Sequence, residues 1–441
     1  MSNESRSKQF LKVLPDGQNG PVSMLQRVWG QLQSTGLSDE TFVCASKPQQ
    51  DMIFHQIGEV PFIEEPMRKD TFPAICLSVL YLLEKVNTPI DESIVVIPVD
   101  HYVDNHYFEQ IARLGDVLNA SLAELVLMGV EPESPTSKFG YISVEPFETN
   151  APYRQVDKFV EKPERAVAER LIQNGALWNC GVFCFHGRTI LKFLQDHGYP
   201  NTYEALKSEF VNLPKRSFDY EMVEKAQSVV VCPYRGAWKD IGTWSSLSSQ
   251  MDGDIAGIGT IHGCENTHVI NELGIPVVTL GLQNTIVVAT PDGILAADKE
   301  HSAQVKNVIS KYHGRPMYEE RRWGTYRVLD YQKLEDGTEV LTKCIELLPG
   351  KNISYQKHFK RSEIWTIIEG TGYMALDERI FPVSAGDVVR IYSEQWHAIR
   401  ATNKLKFIEV QRGSELIEED IVRRYMSWEE VENACSFGTI H

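Results

Sequence analysis

The sequence predicts an α/β domain followed by an all-β barrel, with a short β-rich module between them, and three stretches carry that reading. SIVVIPVD (93–100) is a near-continuous β-branched run. It is flanked by helical patterns in AICLSVLYLLEKV (74–86) and HYFEQIARLGDVL (106–118), as in a doubly wound parallel sheet whose strand is buried on both faces. From 255 to 300 the texture shifts to short apolar runs, IAGIGTIHG, THVINE, IPVVTLG, NTIVVAT and GILAAD, parted by Gly, Asn or Asp turns. Such spacing suggests a few β-helix-like coils, without a strict repeat. Beyond Tyr326 the runs TEVLTKCIELLPG, IWTIIEGTGYMAL, GDVVRIYS and LKFIEVQRG are strand-like and Gly-punctuated, as in a double-sheet jelly roll. The expected domains are 1–254, 255–315 and 316–441.

Taken in order, the first domain places Asp100 and His101 at the carboxyl end of the 93–100 strand, where open α/β sheets bind ligands. A helix is expected over 164–174, between FVEKP (159–163) and the buried strand in WNCGVFCF (178–185). SVVVCPY (228–234) reads as another strand, leading into the loop-like GAWKDIGTW (236–244) with Asp240. HSAQVKNVISKYHG (301–314) reads as a helix closing the middle module, and a last helical stretch is expected from about Glu418.

Composition narrows the function classes. The 441 residues carry a net charge of −16, which repels nucleic-acid backbones and anionic lipid, so neither nucleic acid nor membrane is an expected partner. A phosphorylated ligand must be held by locally concentrated cations, N–H groups or metal. The eight cysteines are scattered, with only Cys180 and Cys184 close together, so reduced thiols are expected rather than a zinc site or disulfide framework. No apolar leader or spanning stretch is visible, and a cytoplasmic protein is expected.

Two constellations carry chemistry. From Gly350 the chain places Gln356, His358, Glu363 and Gly370 at the spacing of the first cupin motif, with Gln356 where a histidine usually stands. Gly386, Tyr392, Glu394 and His397 resemble the second motif. Gln356, His358, Glu363 and His397 would offer mixed N/O donors to a divalent ion such as Zn²⁺, Mn²⁺, Fe²⁺ or Co²⁺. The competing reading is a set of internal hydrogen bonds in an assembly module. Asp100 and Asp240, both near strand ends, could share Mg²⁺, which takes one or two carboxylates and completes its shell with water and phosphate. A lone strand-end aspartate, however, is more often a helix cap.

RSKQFL (6–11), SMLQRV (23–28), EEPMRKDTFPAI (64–75), IPVDHYVDN (97–105), FGYI (139–142), FVEKP, LWNCGVF (177–183), FDYEMVEKA (218–226), WKDIGTW, RRWGTYRVLD (321–330), GKNISYQKHFKRSEIWTIIEG (350–370) and EEDIVRR (418–424) follow one another in an order that resembles a known family. That family is the mannose-1-phosphate guanylyltransferases, whose long members end in a type II mannose-6-phosphate isomerase cupin. The resemblance implies a GT-A/Rossmann-like nucleotidyltransferase fold that converts mannose 1-phosphate and GTP to GDP-mannose and pyrophosphate. It assigns Asp100 and Asp240 to the catalytic ion and Lys8 to the transferring phosphoryl group. Gly140, Glu161, Lys162 and Asn179 fall to the sugar-phosphate pocket, and Arg68 and Asp70 to the nucleotide segment. Arg361 and Arg423 match arginines that could hold a sugar phosphate at the cupin. The family's opening strand and glycine-rich loop have no counterpart ahead of Lys8, so a misassigned or truncated start is expected, the alternative being a degenerate member of the family. The isomerase ending is altered as well, and no general base can be named for isomerisation. Three other readings compete: a cupin-only sugar-phosphate isomerase, a non-catalytic sugar-nucleotide-binding subunit, and a transferase for another hexose 1-phosphate. A homo-oligomer is expected, because jelly-roll cupins often pair through their sheets.

Overall fold

The computed structural model describes residues 7–15, 20–145, 152–305, 308 and 314–438. They form two compact units, one of residues 9–50 and 60–251, the other of residues 7–8, 51–59 and 252 onward. No helix among the described residues is long and apolar enough to cross a membrane, and all eight cysteines are free.

The first unit is built on a six-stranded sheet in the order Ser93–Val96, Leu177–His186, Leu125–Val130, Val229–Tyr234, Arg154–Val160, Tyr141–Val144. LVLMGV at Leu125–Val130 is buried at every position, as expected for a central strand covered on both faces. One face packs on Phe72, Leu80, Phe183 and Phe185, the other on Tyr107, Leu114, Trp178 and Cys184. The helices behind these faces run Thr71–Lys85, Asn105–Ile111 and Leu114–Ser121, so the pattern expected over 106–118 is interrupted at Ala112 and Arg113.

Two expectations are corrected. The sheet is mixed: Leu125–Val130 runs parallel to Val229–Tyr234 but antiparallel to Leu177–His186, which in turn is antiparallel to Ser93–Val96. SIVVIPVD is a strand only over Ser93–Val96, at the sheet edge and half-buried. Pro98 has no N–H to give a ladder, and the chain leaves the sheet to carry Asp100 outward. It then forms the short strand His101–Val103, which pairs with Trp238–Asp240.

In the second unit the middle module is coiled. Gly259–His262 runs parallel to Val277–Leu280, and His268–Asn271 parallel to Thr285–Thr290. Only the first turn of the helix expected over 301–314, a 3₁₀ turn at His301–Gln304, is described in full; most of the rest lies outside the described residues. Two six-stranded sheets follow. One is ordered Tyr318–Arg321, Gly324–Lys333, Glu339–Leu347, Leu405–Gly413, Arg361–Glu369, Val388–Ile391. The other is Ile421–Tyr425, Tyr355–His358, His397–Ala401, Thr371–Leu376, Arg379–Ser384, Ser436–Phe437. Alternate residues of Arg361–Glu369 and Leu405–Gly413 are buried, the period-2 pattern of a half-buried strand. The helix expected from Glu418 begins later. Ile421–Tyr425 is a strand because it pairs with Tyr355–His358. The helix is Trp428–Ala434, started by a capping box between Ser427 and Glu430.

Helix Gln50–Ile57, inside the first expected domain, packs largely with the second unit. Arg321 pairs with Asp51, and Gln56 Nε2 donates to Glu320 Oε2 at 3.0 Å.

Candidate functional site

Two groups of predicted residues converge in the first unit. The Asp240–His101 register brings the segment after Val229–Tyr234 against the segment after Ser93–Val96, and the Ile241 amide donates to the Asp100 carbonyl at 2.9 Å. Both carboxylates then close on Gly242. A Cβ there would lie 2.7 Å from Asp240 Oδ1 and 3.2 Å from Asp100 Oδ2, so these oxygens are separated by no more than the sum of those distances. The Gly242 amide also donates to Asp240 Oδ1 at 2.8 Å. Both aspartates are half-buried, which suits a cation that keeps part of its water. Two acidic oxygens converging on a point that admits no side chain form a pair that could take part in holding a divalent cation such as Mg²⁺. His101 beside them is buried, and burial pushes its pKa down to about 4 against the pull of Asp240, leaving the ring neutral.

The second group surrounds Asn179. Glu161 is buried and paired with Lys162 Nζ at 2.7 Å. Gly140 is forced by this packing: a Cβ would meet Glu161 Oε2 at 2.6 Å and the Phe159 ring at 2.6 Å. Its carbonyl accepts the Asn179 N–H at 2.8 Å. Lys162 and Asp70 both hold positive φ, 44° and 70°, conformations that side chains adopt at a cost and that cluster at functional sites. Asp70 caps helix Thr71–Lys85, and both it and Arg68 are exposed. One residue of this group was not singled out from the sequence. Asp219 Oδ1 accepts from Asn179 Nδ2 at 2.8 Å, and burial, then Glu161, push its pKa up to about 7. Lys8 opens a 3₁₀ turn, Lys8–Phe10, and is half-buried.

In the second unit, His358 on one sheet and Glu363 on the other meet His397, with donor atoms all within 4.8 Å of one another and all three residues buried. Burial lowers both imidazole pKa values, so the rings are neutral donors. Burial raises that of Glu363, but His397, His358 and Arg361 more than reverse it, so the carboxylate stays ionised. His397 Nε2 is buried without a hydrogen-bond partner. Neutral imidazoles, an ionised carboxylate and an orphaned nitrogen fit a divalent ion. Gln356 lies opposite His397 in register, its Oε1 accepting from Ser354 at 2.9 Å. Arg361 is turned inward: Nε donates to Glu363 Oε1 at 2.9 Å, Nη1 to the Ile417 carbonyl at 3.1 Å, and Nη2 lies 3.2 Å from His358 Nε2. Arg423 is exposed, opposite Gln356 in register.

Residues 4–255 match the nucleotidyl transferase family and residues 310–425 the mannose-6-phosphate isomerase C-terminal family. The mannose-1-phosphate guanylyltransferase RfbM of Salmonella typhimurium is 29% identical over 96% of this chain and 93% of its own. The alginate biosynthesis protein AlgA of Pseudomonas fluorescens is 30% identical over 96% and 92%. A crystal structure from Thermus thermophilus, described as a mannose-1-phosphate geranyltransferase, aligns over 70% of this chain and 93% of that one, with 29% identity and a TM-score of 0.58.

Proposed function

Because the chain belongs to the nucleotidyl transferase family, we propose that it transfers GMP from GTP to mannose 1-phosphate, giving GDP-mannose and pyrophosphate. The convergence of Asp100 and Asp240 on Gly242 carries the reading. Mg²⁺ bound there would neutralise phosphate charge and orient the nucleotide. The chain's own part is positioning: Lys162 pairs with the sugar phosphate, Glu161 and Asn179 hold the sugar, and Arg68 and Asp70 face the nucleotide. Such transfers depend on alignment and charge stabilisation more than on covalent help from the protein. The chain is read as a transferase domain over 1–254, a short parallel β-helix over 255–315 and a cupin jelly roll over 316–441.

The test is pyrophosphate release from GTP, mannose 1-phosphate and Mg²⁺ by the full chain. Activity that falls at least a hundredfold in both Asp100→Asn and Asp240→Asn is expected. Full activity in either variant, or none in the unaltered chain, refutes the assignment.

A second activity at the cupin is favoured by the buried His358–Glu363–His397 cluster. These residues, with Gln356, would hold a divalent ion that polarises sugar oxygens, and Arg423 stands at the rim for the phosphate. Interconversion of mannose 6-phosphate and fructose 6-phosphate that disappears in His358→Ala would establish it. Its absence from the unaltered chain would reduce the barrel to a structural module.

A further inference from the structure

Asp219 has no role in the machinery described so far, yet its surroundings are built around it. Phe218 is fully buried, with ring centroids 4.8 Å from Phe183 and 5.6 Å from Phe185, both on the strand that carries Asn179. The Phe218 N–H donates to Thr71 Oγ1 at 2.8 Å, and Ser217 caps the short turn Phe218–Glu221. The next residue in the chain, Asp219, is thereby fixed against Asn179, accepting from its Nδ2 at 2.8 Å.

The Asn179 amide is constrained at its other end too, because Oδ1 accepts the Gly181 N–H at 3.1 Å. An amide anchored through its oxygen could still tilt; a carboxylate gripping one N–H removes that freedom and leaves the second N–H with one direction. Asn179 is itself buried, and its backbone is tied to Gly140, whose missing side chain makes room for Glu161. Asp219 also lies within electrostatic range of Glu161, Lys162 and Asp70.

We propose that Asp219 is a positioning residue of the sugar-phosphate pocket, orienting the Asn179 amide so that its second N–H is presented to the hexose 1-phosphate. The assignment rests on the reading of Glu161, Lys162 and Asn179 as that pocket. Asp219 acts through Asn179, and its effect falls on sugar-phosphate binding rather than on the nucleotide.

The experiment is calorimetric binding of mannose 1-phosphate, and separately of GTP with Mg²⁺, to the full chain and to Asp219→Ala, Asp219→Asn and Lys162→Ala. A hydrogen bond to a charged group, once lost, corresponds to roughly a tenfold loss of affinity. Asp219→Ala should therefore weaken mannose 1-phosphate about tenfold and leave GTP unchanged. Asp219→Asn keeps an acceptor oxygen for the Asn179 N–H and should restore affinity to within about threefold. In turnover, the alanine variant should raise KM for the sugar phosphate with little change in kcat. Asp219→Ala binding as tightly as the unaltered chain, Asp219→Asn as weak as the alanine variant, or GTP affinity falling in step overturns the assignment. If Lys162→Ala weakens the sugar phosphate and Asp219→Ala does not, this assignment alone fails. If the unaltered chain binds no mannose 1-phosphate, the pocket reading fails and takes the assignment with it.

Discussion

Replacing Gly242 with alanine puts a methyl group where the Asp100 and Asp240 carboxylates, the proposed Mg²⁺ ligands, meet. The new Cβ would stand 2.7 Å from Asp240 Oδ1, so that oxygen must recede by roughly 0.7 Å to reach ordinary contact at 3.4 Å, while Asp100 Oδ2 at 3.2 Å needs only a few tenths. Mg²⁺ tolerates little of this, since its oxygen bonds are about 2.0–2.1 Å in a near-ideal octahedron. A misplacement approaching 1 Å costs on the order of a hundredfold in rate. The expected result is a roughly 30- to 100-fold lower kcat, on the order of 2–3 kcal/mol of added barrier, with a raised Mg²⁺ requirement. The obstructing atoms are the ends of two half-buried side chains rather than backbone, so the thermal midpoint should move little. Steady-state pyrophosphate release at varied Mg²⁺, with a melt of each protein, measures both. Unchanged kcat and unchanged Mg²⁺ dependence would refute the reasoning, because the methyl cannot be accommodated without moving the ligands.

Four more outcomes follow from the same geometry. Gly140→Ala, whose Cβ would meet Glu161 Oε2 and Phe159 at 2.6 Å, should raise KM for mannose 1-phosphate at least tenfold while leaving KM for GTP unchanged. Arg361→Met should destabilise the second unit by about 3–5 kcal/mol in denaturant melts, since it strands the buried Glu363 charge. Co²⁺ added to the unaltered chain should produce visible absorption that His397→Ala abolishes; bands unaffected by that substitution would exclude His397 as a ligand. Asp219 has a folded pKa raised to about 7, so the fold binds its proton more tightly than the unfolded chain and stability is lost as pH rises from about 4 through 7. The melting midpoint of the unaltered chain relative to Asp219→Asn should therefore fall across that window and level off above it.

Much of the site could be read from local pattern, and the misses share a cause. Asp100 and Asp240 were recognisable as acids that follow β-branched runs whatever the sheet's direction, although those strands end at Val96 and Tyr234 and the His101–Asp240 pairing is what brings the two acids together. The direction itself was not recognisable, since an apolar run records burial and is silent on whether its neighbour is parallel. Gly140 was visible as part of FGYI, but its necessity comes from Phe159 and Glu161, at the end of the following strand. Gly242 was visible in WKDIGTW, yet the crowding there exists only once Asp100 arrives from another segment. Asp219 was overlooked because an acid in FDYE reads as an ordinary first-turn helix residue. The cupin spacing singled out His358, Glu363 and His397, which the fold brings together, and Gln356 in register with His397, but the inward turn of Arg361 depends on Glu363, Ile417 and His358 together.

The two clusters solve opposite electrostatic problems, and this bears on which cation each admits. Asp100 and Asp240 stay half-exposed, so water can share the charge of both acids until an ion arrives, and an ion that enters can keep much of its hydration. The cupin donors have no such solvent. His397 is fully buried, and Glu363 and His358 nearly so, which makes an uncompensated carboxylate there costly. Arg361 supplies the compensation, and with the Gln411 and Trp365 N–H groups it satisfies Glu363 without an ion. A divalent ion entering this cluster must share Glu363 with a guanidinium 2.9 Å away and approach a His358 nitrogen that already faces Nη2 at 3.2 Å. Ligand softness favours borderline ions such as Zn²⁺ or Co²⁺ at this nitrogen-rich site over Mg²⁺, and the resident arginine sets the affinity they must overcome. Mg²⁺ titrated into the full chain should accordingly restore pyrophosphate release after chelation without displacing Co²⁺ absorption from the cupin. Co²⁺ bands bleached by millimolar Mg²⁺ would show that the two sites do not discriminate in this way.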